Sequence, residues 1–104
     1  MPEIVWLASA EHDLLAVFAE LEKRRDGSGA ELVVRVDAVL DHLRRHPELA
    51  PVYEPPIRRP VIATTGYGLF YSIQSRGIMV HALVHLSRSP ETIRDRIRRL
   101  LRLE

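Results

Sequence analysis

Ile57-Arg58-Arg59-Pro60-Val61-Ile62-Ala63, a Thr65-Gly66-Tyr67-Gly68 corner, Leu69-Phe70-Tyr71-Ser72-Ile73-Gln74, a Ser75-Arg76-Gly77 turn, and Ile78 to Leu86 closing in Ser87-Arg88-Ser89-Pro90 decide how this chain folds. The three runs hold Val, Ile, Tyr and Phe, whose branched or aromatic side chains suit a pleated surface. Short glycine-containing turns between them predict an antiparallel meander. From Ile78 the residues alternate, with Ile78, Val80, Ala82, Val84 and Leu86 on one face and Met79, His81, Leu83 and His85 on the other. This is the pattern of a central strand covered on its first face and partly open on its second, which carries His81 and His85.

Upstream, Glu3-Ile4-Val5-Trp6-Leu7 reads as a fourth strand at or near an edge. Ser9 offers an N-cap oxygen to a helix from about Ala10 to Arg25, with Leu14, Val17, Phe18 and Leu21 at helical spacing and Asp26-Gly27-Ser28-Gly29 as its break. Leu32, Val33, Val36, Val39, Leu40 and Leu43 form the apolar face of a second helix, which must stop near His46 because Pro47 cannot donate a backbone amide. Two amphipathic helices joined by a short turn make an antiparallel hairpin, and the sheet is the surface on which that hairpin can bury its apolar face. Pro47 to Pro56 carries four prolines in ten residues and reads as a stiffened surface connection. Downstream, Ser89 with Pro90 at the first helical position starts a last helix, whose Ile93, Ile97, Leu100 and Leu101 stripe is set against Arg94, Arg96, Arg98, Arg99 and Arg102. That basic helix could cover the open sheet face, hold a second subunit or await a partner.

The fold class that follows is α+β: an N-terminal strand, a helical hairpin packed on a mainly antiparallel, curved, four-stranded sheet, and a C-terminal basic helix. With 104 residues the chain is expected to be a single domain, 1–104. It has no cysteine, which excludes disulfides and thiolate metal sites. No apolar run is long enough to span a bilayer and no secretory signal is recognisable, so a cytoplasmic protein without a membrane partner is expected. The net charge of +1 conceals an asymmetry: residues 1–52 carry ten carboxylates against six cations and residues 53–104 four against nine. An acidic helical half and a basic sheet-and-tail half suggest that the second half meets something negative.

Val5-Trp6, Ala10, Asp13-Leu14, Leu43 with Pro47, Arg58-Arg59, Tyr67, Leu69 and Tyr71, and finally His85, Arg88 and Pro90 occur in an order that resembles the RelE/ParE superfamily of toxins from type II toxin-antitoxin modules, on the ParE or plasmid-stabilisation side. The resemblance spans roughly residues 3–95. Ser87 and Ser89 stand where such toxins often have an arginine and an acidic residue, and the basic last helix is longer than the family minimum. The resemblance implies a growth-inhibiting toxin with a cognate antitoxin protein as partner, a homodimer or toxin-antitoxin hetero-oligomer as assembly, and DNA gyrase or ribosome-bound mRNA as target. It implies no cofactor.

If the chain is an enzyme, the implied activity is ribosome-dependent cleavage of mRNA. Attack by a 2′-hydroxyl needs a base, an acid for the leaving oxygen and cations around the phosphate. His85, Arg88, Arg59, Arg58 and Tyr71 are the candidates for that work, with His81, Tyr67 and Glu54 behind them. Each also has a plain structural reading: a histidine ending a strand as a hydrogen-bonding residue, the tyrosines as core and rim, and Arg58 and Arg59 on opposite faces so that one at most joins a given site. No metal is expected, because His81 and His85 lie about 13 Å apart along a strand. Contacts with antitoxin or target are expected at Arg58, Arg59, Arg76, Arg88, Arg94 and Arg98. A domain of this fold that is not toxic, and a nucleic-acid binder acting through the last helix, are the competing readings.

Overall fold

In the computed structural model, which describes residues 2–103, the elements follow in the order β1 (Glu3–Trp6), α1 (Ala8–Arg24), α2 (Ser28–Arg45), β2 (Val52–Glu54), β3 (Ile57–Arg58), β4 (Val61–Ile62), β5 (Tyr67–Gln74), β6 (Gly77–His85) and α3 (Pro90–Arg102). The sheet runs β1-β6-β5-β3-β2, with β4 on the same edge of β5 as β3 but further along it. β1 is parallel to β6 and the other pairings are antiparallel.

The α+β class and the order strand, helical hairpin, meander, basic helix are those expected, and the sheet is richer than the four strands read from the sequence. The run Ile57 to Ala63 is two strands, because Pro60 has no N–H for the ladder and the chain steps off β5 between Arg58 and Val61. Val52–Glu54, inside the proline-rich connection, pairs with β3 and adds a strand there.

β6 departs from the predicted alternation at His81. Phe70 pairs with Ala82 but Tyr71 pairs with Val80, so His81 is the extra residue of a β-bulge. One inserted residue exchanges faces for everything beyond it. Ile78, Val80 and Leu83 therefore join the core beneath the helical hairpin with Leu32, Val36, Leu40 and Tyr71. Ala82 and Val84 join a second core with Ile57, Phe70, Ile93 and Ile97. The second face of the sheet is thus closed by α3.

Each helix end has a local cause. The sequence places a cap at Ser9, but α1 begins at Ala8, two residues before the expected start and with no side-chain cap, and the Ser9 hydroxyl instead donates to His81 O at 2.7 Å. The Glu22 carboxylate accepts from the amides of Gly27 at 3.0 Å and Gly29 at 2.6 Å, satisfying the free N–H groups around the start of α2. Ser28 and Gly29, expected in the break, thereby belong to α2. Its other end stops at His46, before Pro47. α3 starts as its sequence requires, with Ser89 Oγ accepting from the Thr92 amide at 3.1 Å and Pro90 in the first turn.

Candidate cleft between α1 and the end of β6

β1 ends at Trp6, so β6 beyond Val80 would face water with unpaired backbone groups. The first turns of α1 supply the missing partners: Ser9 for the His81 carbonyl, and the Asp13 carboxylate, which accepts from the Leu83 amide at 2.9 Å. Asp13 is also held by Arg96 of α3 through two bonds of 2.8 and 2.9 Å, a bidentate pair that straps α3 around the sheet edge. Past this strap the edge opens into a cleft of about 460 Å³ lined by His12, Asp13, Glu20, Tyr67, His85, Arg88 and Arg96.

His85 is held in the cleft by its neighbour Ser87. Its Nδ1 accepts from the Ser87 amide at 3.2 Å and lies 2.7 Å from Ser87 Oγ. That arrangement leaves Nε2 to carry the hydrogen in the neutral ring. The ring meets Tyr67, its cross-strand neighbour, edge-on at 4.9 Å between centroids. It can lie so low over the β4–β5 corner because residue 66 is glycine: a Cβ there would stand 2.6 Å from Nε2, and φ is +81°. The Ser87 backbone amide, with the Ser87 hydroxyl beside it, thus orients the His85 ring.

Of the candidates named from sequence, His85, Arg88 and Tyr67 come together here. Arg58, Arg59 and Tyr71 do not. Arg58 Nη1 donates to the carbonyls of Glu48 and Ala50, each at 2.8 Å, and the Tyr71 hydroxyl donates to Pro47 O. Both side chains tie down the 47–50 segment at the far side of the helical face, and burial pushes the Tyr71 phenol up from its ordinary value. Arg59 lies on the opposite face, across Gly68, with its guanidinium 5.9 Å from the Tyr53 ring centroid and its Nε buried without a hydrogen-bond partner. Alternation along β5 separates it from Tyr67 and His85, so the arginine pair clamps no phosphate in this cleft.

The remaining candidates are dispersed too. His81 is buried, with Nε2 2.8 Å from Ser72 Oγ. Glu54 accepts from Arg98 Nε and Arg94 Nε, both at 3.0 Å, and the Arg98 hydrogen bond holds its carboxyl below the ordinary range, which unsuits it as a base. Arg94 and Arg98 share that one carboxylate and keep a net positive charge at the β2–α3 seam. Arg76 sits in the β5–β6 turn, a strand of nine residues from His85, about 27 Å at strand rise. Among the described residues no group of three or more His, Asp or Glu side chains is placed to share a metal ion. No helix among them is long and apolar enough to cross a membrane.

Sequence reading missed His12 and Glu20 as cleft residues. Their signal is the spacing His12, Ala16, Glu20, one helical stripe that borders the cleft. Arg96 was read as one arginine among five, and its pairing with Asp13 joins residues 83 positions apart.

A scan against protein-family models gives no match, and no curated protein matches the sequence significantly. Among solved structures the chain is similar to one described as "Chromosomal ParDE TA system from P. aeruginosa", with TM-score 0.61 and 12% sequence identity, covering 83% of this chain and 97% of that chain. At that identity the likeness is one of fold, and the fold is the ParE-like one that the resemblance implied.

Proposed function

We propose that this chain is the toxin component of a type II toxin-antitoxin module, held inactive by a small cognate antitoxin. The observation that carries the reading is the fold likeness to the ParDE system, reached from a sequence whose ordered residues resemble the same superfamily. For the target we favour DNA gyrase, engaged by binding, over mRNA cut on the ribosome. RNA cleavage needs cations around the phosphate. Of the two arginines lining the cleft, Arg96 is neutralised by Asp13, and Glu20 adds a further carboxylate.

Expression of the chain alone should arrest growth, and co-expression of the adjacent small reading frame should restore it. Purified protein should block gyrase supercoiling. Harmless expression would overturn the toxin reading in favour of a non-toxic domain of this fold. Cleaved mRNA in a translation reaction, with supercoiling unaffected, would overturn the gyrase assignment alone.

The second reading, an mRNA endoribonuclease, is supported by one observation: a tautomer-fixed His85 beside Tyr67 and Arg88. On that reading His85→Ala abolishes cleavage.

A further inference from the structure

The last turn of α2 carries two histidines that the candidate cleft does not use. The i, i+4 spacing that sets His81 and His85 about 13 Å apart along a strand brings His42 and His46 together on a helix. His46 is the capping residue of α2 and keeps the helical register, its amide donating to His42 O at 3.1 Å. The two rings lie 5.2 Å apart between centroids, tilted by 51°. Both residues are exposed, and neither ring enters a hydrogen bond or ion pair among the described residues, whereas His81 and His85 are each engaged by a serine. One side of the pair is apolar. His42 borders a cavity of about 330 Å³ walled by Val39, Leu43, Leu49 and Pro60, and His46 borders the adjoining depression, where Leu49 recurs beside Pro47.

We propose that His42 and His46 chelate a divalent transition-metal ion of the zinc class. Imidazole is a preferred ligand of such ions, and each neutral ring offers one nitrogen lone pair. Two imidazoles bonded to one ion at about 2.1 Å hold their ring centres about 3.2 Å from it, and a tetrahedral angle then sets the centres about 5.2 Å apart. The separation of the two rings is that distance. The charge around them also suits a cation. The carboxyl end of a helix carries partial negative charge. Of the neighbouring arginines, Arg45 is bridged to Asp41 at 3.5 Å, and Arg44 lies on the other side of α2, in the groove beside Ile4 and Trp6. The apolar wall at Leu49 limits water on one flank, which strengthens the bonds to the metal. Two protein ligands make an open site, whose remaining positions belong to water or to a donor group of a bound molecule.

With its ion, the pair fastens the last turn of α2 where it enters the 47–50 segment, which Tyr71 and Arg58 already hold from the sheet through the carbonyls of Pro47, Glu48 and Ala50. Calorimetric titration of the full chain with Zn²⁺ at neutral pH should show one ion bound per chain. His42→Ala and His46→Ala should each weaken binding at least about tenfold, because either leaves a single ligand with no chelating partner. Both side chains are exposed, so the fold survives their removal. Zn²⁺ should move the proton NMR signals of the His42 and His46 rings together and leave those of His12 and His85 in place. Affinity should fall as the solution is acidified, since a protonated imidazole has no lone pair to give. Absence of binding overturns the proposal, and so does binding that survives either substitution. Shifts centred on His12 and His85 overturn it as well, by placing the ion in the cleft beside α1. The site is independent of the toxin reading.

Discussion

Asp13 performs three tasks with one carboxylate. It closes the backbone of β6 at Leu83, fixes the first turns of α1 against the sheet, and anchors Arg96 from α3. Its side chain is 13% exposed and that of Arg96 28%, so removal of either leaves a largely buried charge unpaired. Asp13→Ala should cost about 3 kcal/mol, measured by urea unfolding. Gly66 is the second sensitive residue. Gly66→Ala pays for a positive φ and for a contact with the His85 ring, and should cost about 1–2 kcal/mol while moving the His85 side-chain resonances.

The same paired geometry recurs between elements. Glu22 at the end of α1 acts as the N-terminal partner of α2, and its amide hydrogen bonds, that from Gly27 foremost, hold its carboxyl below the ordinary value. A carboxyl whose folded pKa is depressed contributes stability above its unfolded value and loses it as pH falls through the folded one. The stability gap between wild type and Glu22→Gln should therefore be full at neutral pH and close as pH falls below about 4.5, read from urea midpoints across that range. α3 is fastened by its Ile93 and Ile97 stripe, by Glu54 and by Asp13. Ile97, 1% exposed, is the centre of this contact, and Ile97→Ala should cost about 2–4 kcal/mol. Glu54→Ala, by contrast, should leave global stability nearly unchanged while speeding amide exchange in α3.

At the scale of the molecule, the charge asymmetry takes a different shape from the one its sequence suggests. Three of the α3 arginines are spent on internal carboxylates, Arg96 on Asp13 and Arg94 with Arg98 on Glu54. In the basic half, the positive charge not matched by a carboxylate lies on Arg58, Arg59, Arg76, Arg88, Arg99 and Arg102, with one further surplus charge where Arg94 and Arg98 share Glu54, so it is spread over strands, turns and α3 rather than gathered on one face. On the proposed toxin reading, an antitoxin that binds through an acidic segment should therefore lose affinity only modestly, by about 1 kcal/mol or less, for any single exposed arginine changed to alanine. Titration calorimetry of the purified pair would measure this.

What the sequence determined by itself is whatever depends on neighbours along the chain. Periodicity separated helices from strands, Pro47 and Ser89-Pro90 set helix ends, and turn residues between β-rich runs specified the meander, because each acts within a few residues of itself. The candidate site was legible only in part: His85, Tyr67 and Arg88 lie on neighbouring strand ends and a tight turn, so local pattern brings them together. Tertiary structure alone decided the rest. A single bulge at His81 exchanged the faces of β6, Arg58 and Tyr71 were drawn off to the 47–50 segment, and Arg96 was turned inward onto Asp13. Each of these outcomes follows from satisfying buried backbone and charge across the fold, a requirement that no stretch of sequence carries alone.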